Sequence, residues 1–387
     1  MSQPNKAVPT RRLRVTAALL LAAFLAACAE PALVPAPSGP LTEQDVAETV
    51  DDITAQLTAA LESAAEDEGV IALQGLPQDG LMTNPFFGYG VATMRYRHPE
   101  RRSLVPQGAA EYDLPRGVYV FEAGDMGSGW TQTGDSDDLS LTWTYDADPT
   151  TADFDSAEAT ATVDWDALAP TERASSEYGD IELPTGLNLG LVANGTTAAD
   201  VDVTTDYYVC DGQTTLEPTA LGVDGSGSFL TLENVGYSVL ESDAGDSVTT
   251  QGEVTLTDTG ISLGWNVAVN GELSRQDCYT AGFEPQDGAV SLTLGGLTGE
   301  TNSLGLEFSF ADVLSGSPSV QNGTFVVNGD DANAVTFSGE LTDRNGNGVP
   351  GEDLTVRFAD GSTATLEELL NDLTPAGAVR QFLRHHR

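Results

Sequence analysis

The stretch Ile261-Ser262-Leu263-Gly264-Trp265-Asn266-Val267-Ala268-Val269-Asn270-Gly271-Glu272-Leu273 decides the fold class of this chain. Ile261, Leu263, Trp265, Val267 and Val269 recur at every second position, and side chains two apart lie on one face of a strand. Ser262, Gly264 and Asn266 take the other face, so the segment reads as a half-buried antiparallel strand. The alternation extends to Leu273, well beyond the usual five or six residues.

Working outward, the same period returns on both sides. Upstream it runs through Leu139, Leu141, Trp143 and Tyr145, and again through Val201, Val203, Thr205, Tyr207 and Val209. Downstream it includes Val290, Leu292 and Leu294, then Leu304, Leu306, Phe308 and Phe310. Phe325, Val327, Val335, Phe337, Leu341, Leu354, Val356 and Phe358 continue it. Gly295-Gly296, Asn322-Gly323 and Asn345-Gly346-Asn347-Gly348 are expected to be the turns between strands. The fold class is therefore mainly β, a large antiparallel meander forming a sandwich or curved half-barrel. An outer-membrane barrel also alternates, but aromatics are only 7% and form no girdle pattern.

Two helices flank this block. Thr42 and Asp45 form a capping signal, and Val46, Val50, Ile53, Leu57, Ala60 and Ala64 step by four and three. This predicts an amphipathic helix over 41–69, stopped at Gly69 and docked on the domain that follows; the competing reading is an oligomerising stalk. Thr365 and Glu368 make a second capping box, which opens a short C-terminal helix and tail over 365–387. The less regular stretch before Thr185 and Gly186 suggests two β subdomains, 70–185 and 186–364.

Sixteen Lys and Arg stand against 59 Asp and Glu, a net charge of −43, while 40% hydrophobic residues suffice for a core. Such a chain repels nucleic acid and anionic headgroups, so nucleic-acid function is excluded.

The N-terminus places Lys6, Arg11, Arg12 and Arg14 before an apolar run that ends Leu25-Ala26-Ala27-Cys28. A basic region, an apolar run and small residues are the layout of a cleaved secretory signal. The run from Val15 to Cys28 is about fourteen residues, short of the roughly twenty that span a bilayer. The segment resembles the signal of bacterial lipoproteins. That resemblance covers only the signal, and it implies cleavage of 1–27 and acylation of Cys28. Ala29 stands where the family's inner-membrane retention signal is Asp, so the implied location is the outer membrane where one is present. Cleavage leaves 12 basic residues against 59 acids, a net −47. Residues 28–40 contain Pro31, Pro35, Pro37 and Pro40 and predict an extended tether of roughly 35 to 40 Å.

Cys210 and Cys278 are the two cysteines left after Cys28, and in an oxidising compartment they are expected to form a disulfide. Neither has a His or second Cys at metal-ligand spacing. Asp343, Asn345, Asn347 and Val349, with Glu352 and Asp353, resemble half of an EF-hand-type calcium loop. The twelfth position is Leu354, so a plain turn competes with a calcium-stabilised one. Asp146, Asp148, Asp153 and Asp155 carry the same ambiguity. Arg95, Arg97, Arg101, Arg102 and Arg116, with His98, could form an anion site; their competing role is to neutralise the chain's own acids.

No catalytic residue is assigned. The motifs Gly-x-Ser-x-Gly, His-Glu-x-x-His and Gly-x-x-x-x-Gly-Lys are missing, and His98 is the one histidine away from the C-terminus. The expected function is a non-enzymatic binding or structural module of the bacterial cell envelope, lipid-anchored through Cys28. The alternatives are a carrier of a lipid or other apolar ligand and a carboxylate-pair carbohydrate-active hydrolase. No cofactor is required, calcium is the candidate ion, and the partner classes left open are an envelope protein, a glycan or an apolar ligand.

Overall fold

The structure, a computed structural model, describes residues 42–77, 113–122, 129–151, 153–176, 179–242, 245–276, 278–298, 301–311, 313, 318–330, 334–341 and 351–368. Among the described residues it is mainly β and mostly antiparallel, with 18 strands and few helices. Two compact units are present, Ala60–Leu294 and a second made of Met1–Ala59 with Gly295–Arg387.

The described residues of the larger unit form β1 (Gly117–Glu122), β2 (Gly129–Gly134), β3 (Leu139–Asp146), β4 (Ser156–Ala169), β5 (Glu172–Ser176), β6 (Gly179–Leu183), β7 (Gly186–Ala193), β8 (Thr196–Cys210), β9 (Gln213–Gly227), β10 (Leu230–Leu240), β11 (Asp246–Leu256), β12 (Ser262–Gln276) and β13 (Tyr279–Gly295). From β3 the ladder runs antiparallel through β4, β7, β8, β9, β10, β11 and β12. β1 joins β3 in parallel and β2 antiparallel. β13 lies beside β12, where Asn270 Nδ2 donates to Asp287 (2.7 Å) and Ser274 Oγ to the Gly282 carbonyl (3.2 Å). β5 and β6 form a hairpin inserted between two strands that pair directly, β4 and β7. The expected subdomain boundary at 185–186 therefore falls inside one compact unit.

Near the N-terminus α1 (Glu43–Ala65) opens on the predicted box: Thr42 N–H donates to Asp45 Oδ2 (2.8 Å), and Asp45 N–H to Thr42 Oγ1 (3.3 Å). Ile53 and Ala60 of the predicted seam are buried. Gly69 does not end the helix as expected. The chain breaks at Ala65, and Asp67 caps a new helix, α2 (Glu68–Gln74), by accepting from the N–H groups of Gly69 and Val70. A Cβ at Gly69 would stand 2.8 Å from the Ala198 side chain, so glycine here permits close packing of α2 on the sheet. Ala72 packs with Trp143, Tyr145, Ala159, Leu191, Ala193 and Ala198, and Trp143 Nε1 donates to the Ala72 carbonyl (3.0 Å).

In the second unit, β14 (Leu304–Ala311), β15 (Ser319–Val327), β16 (Val335–Glu340), β17 (Asp353–Arg357) and β18 (Thr363–Thr365) form an antiparallel meander. Leu304, Leu306, Phe308, Val320, Phe325, Val327, Val335, Leu354 and Val356 are all buried. Gln56 of α1 ties to this unit by accepting from Thr298 N–H (2.7 Å) and donating to its carbonyl (2.9 Å). Asn322-Gly323 is not the expected turn. It lies inside β15 as a bulge, with Asn322 at φ 51° and a register shift against β16. Gly323 faces Phe337, whose ring occupies the space a Cβ would need, at 2.3 Å. The C-terminal box also forms: Thr365 N–H donates to Glu368 Oε2 (2.8 Å) and Glu368 N–H to Thr365 Oγ1 (3.1 Å).

Candidate functional site

The register of β10, β11 and β12 sorts their side chains into two faces. Leu230 opposes Leu256, Leu232 opposes Val254, Tyr237 opposes Thr250, and Val239 opposes Val248. Val254 in turn opposes Leu263, Gly252 opposes Trp265, Thr250 opposes Val267, and Val248 opposes Val269. Directly opposed residues share a face, so these apolar side chains form one continuous surface. Thr231, Glu233, Thr249, Gln251, Glu253 and Asn266 point the other way.

The apolar face is not a core. Among the described residues, no hydrophobic side chain between Leu216 and Ile261 is buried, and those on this face are half-buried throughout. Elsewhere in the same unit the face is covered: α2 sits over β3, β4, β7 and β8, and the β5–β6 hairpin packs Ala174, Ile181 and Leu183 against Leu216 and Tyr207. Three strands at about 4.8 Å spacing and ten residues at about 3.3 Å give this face a footprint of roughly 14 by 30 Å. Trp265 lies across the facing Gly252, where a Cβ would stand 2.9 Å from its ring, and its Nε1 donates to Thr250 Oγ1 (3.2 Å). The ring is thus held flat on the sheet with its polar atom satisfied.

One end of this surface is clamped. β8 and β12 are four strands apart, about 19 Å in a flat sheet, yet the Cα atoms of Cys210 and Cys278 are 5.6 Å apart and their sulfurs are bonded. β11 begins at Asp246 opposite Gly271, so the β12–β13 hairpin overreaches it and bends back to β8 and β9. Arg275 secures the bend: Nη1 donates to Glu217 (3.1 Å) and Nε to Glu241 (3.0 Å), with its guanidinium 3.5 Å from the Tyr208 ring centroid. The hydrogen bond to Glu241 raises its pKa further, so Arg275 is a permanent cation consumed by the chain's own acids. Nothing in the sequence around Arg275 singled it out, because its partners lie 34 and 58 residues away.

Arg116 donates to Glu182 (2.8 Å) and to the Asp137 carbonyl (2.8 Å); Glu182, itself buried, also accepts from Leu114 N–H and Thr171 Oγ1. Arg116 is thereby engaged within the fold, while Arg95, Arg97, His98, Arg101 and Arg102 lie outside the described residues. So do Cys28 and Asp343, Asn345, Asn347 and Val349; Asp353 begins β17 opposite Glu340, and Glu352 precedes it. In the loop after β3, Asp146 Oδ1 accepts from the N–H groups of Asp148 (3.3 Å) and Asp155 (3.0 Å), and Asp148 accepts from Thr150 N–H (3.1 Å). These are side-chain turns that the loop satisfies with its own backbone.

One further group forms only in the folded chain. Asp138, Asp164 and Asp166 bring carboxylate oxygens within 4.8 Å of one another. Burial raises the pKa of Asp138, as do the charges of Asp164, Asp166 and Asp137, with Arg116 opposing. The alternate spacing of Asp164 and Asp166 in β4 was the available signal; Asp138 joins them only through the β3–β4 pairing.

Comparison of the chain with protein-family models, with curated proteins and with solved structures returns no match.

Proposed function

We propose that this chain is a lipid-anchored, non-enzymatic binding module of the bacterial envelope, and that the open apolar face of β10–β12 is where its partner docks. The observation that carries this reading is the half-buried state of the apolar side chains of β10, β11 and β12 on that face. A sheet built only as a spacer would gain by turning such side chains into a core or replacing them with polar ones. The Cys210–Cys278 and Arg275 clamp supports the reading because it fixes the surface without burying it. The lipid anchor and the envelope location follow from the signal segment alone.

The test uses a photo-crosslinking residue at Val267 on the apolar face or at Asn266 beside it on the polar face, in cells carrying the intact lipoprotein. Crosslinks from Val267 and none from Asn266 are expected. Equal crosslinking from both, or none from Val267, would overturn the assignment of the face. In the same cells Cys28→Ser is expected to move the protein from the membrane to the soluble fraction; retention in the membrane would overturn the anchor.

A further inference from the structure

We infer that the occupant of the β10–β12 face is a basic amphipathic helix of another envelope protein, an inference that rests on the docking role proposed above. Size is the first argument. A helix of about 20 residues is about 30 Å long and 10–12 Å wide with its side chains, which matches an apolar strip of roughly 14 by 30 Å.

Charge is the second argument, and it disfavours a second copy of this chain. Residues 174–274 contain sixteen Asp and Glu and no Lys, Arg or His. Asp246 stands at one end of the strip and Asp258 at the other. Among the described residues, Arg275 at the clamped end is held by Glu217 and Glu241 and has no charge to spare. Two copies would bring these acids together, and an anionic lipid surface is repelled for the same reason. A helix with an apolar stripe and flanking Lys or Arg meets both demands: the stripe covers the half-buried side chains and the bases face the acidic ends.

The experiment titrates the full-length lipoprotein, in nanodiscs of zwitterionic lipid, with two fluorescent helical peptides of about 20 residues that share one leucine stripe. One carries lysine on its polar face and the other glutamate. The lysine peptide is expected to bind at least about tenfold more tightly at low salt, with the gap closing as salt screens it. Val254→Thr with Val267→Thr keeps side-chain volume and should weaken its binding about tenfold, whereas Asn266→Thr on the polar face should not. Equal binding of the two peptides, or lysine-peptide binding that survives the Val254 and Val267 substitutions, would overturn the inference. So would a crosslink from Val267 that lands within residues 78–112 of the same chain. If neither peptide binds while Val267 still crosslinks a partner in cells, the docking face stands and this class of occupant falls.

Discussion

Two stretches of this chain share one sequence pattern and end in opposite physical states. In β14–β18 the alternating residues Leu304, Leu306, Phe308, Phe325, Val327, Val335, Leu354 and Val356 are buried. In β10–β12 the alternating residues Leu232, Tyr237, Val254, Leu263, Trp265 and Val267 are only half-buried. Both stretches are antiparallel, and both carry Val, Leu and aromatic residues at period two. Alternation states which face is apolar; it does not state whether anything covers it. The covered meander draws its stability from side-chain burial. The open one relies on long hydrogen-bonded ladders and on a covalent clamp at one end.

The largest expected effect follows from that last difference. Cys210→Ser with Cys278→Ser releases a crosslink spanning 68 residues, for which the chain-entropy account gives about 4 kcal/mol. Hydrogen exchange should accelerate in β8–β13 and remain unchanged in β14–β18. Acceleration of equal size in both would erase the contrast. Next in size, Leu354→Ala in the buried meander should cost about 3 kcal/mol by denaturant unfolding, as buried Leu truncations do. Leu232→Ala on the open face should cost about half as much, because water already reaches part of that side chain. Similar losses at the two sites would mean that the β10–β12 face is covered after all.

A smaller effect sharpens the account of the open sheet. Gly252→Ala places a Cβ 2.7 Å from the Val235 Cα and 2.9 Å from the Trp265 ring. The ring must lift, and the expected cost is about 2 kcal/mol, in the range of overpacked sites. Trp265 fluorescence should shift toward that of a more hydrated indole. Loss of stability without that shift would place the strain in the backbone instead.

Much of this architecture was legible in the sequence, for reasons the residues make plain. The β class, the long strand after Ile261, both capping boxes and the Cys210–Cys278 bond all follow from local spacing or from a two-cysteine count. What was hidden depends on register. Asn322-Gly323 has the composition of a turn, but its glycine is needed because Phe337 lies over it from the next strand. Gly69 has the appearance of a helix stop, but it is the second residue of α2, pressed against Ala198. The open face itself could not be foreseen, since burial depends on whether α2 and the β5–β6 hairpin extend over β10–β12, and they do not among the described residues. Arg275 and the Asp138 group were invisible for the same reason: their partners converge only once the strands are paired.

The smallest expected effect carries the comparison into charge. In the meander unit, Glu368 has its pKa lowered because its carboxylate accepts from Thr365 N–H and Oγ1. In the larger unit, Asp138 has its pKa raised, first by burial and then by Asp164 and Asp166. The two groups therefore tilt stability in opposite directions with pH. Glu368 stabilises above the ordinary carboxylate pKa, and that stabilisation is lost as pH falls through its lowered value. Asp138 retains its proton in the folded state after the unfolded chain has released it, so stability falls as pH rises through the window between its ordinary and raised values. At neutral pH it is a standing cost. Asp138→Asn should therefore stabilise the protein at pH 7, and the gain should vanish below the ordinary carboxylate range. Glu368→Gln should do the reverse, with a loss at pH 7 that disappears in acid. Unfolding curves collected across that range would separate them. A destabilised Asp138→Asn at pH 7 would mean that the Asp138 charge is needed, as it would be if Asp138, Asp164 and Asp166 together held a cation through their oxygens.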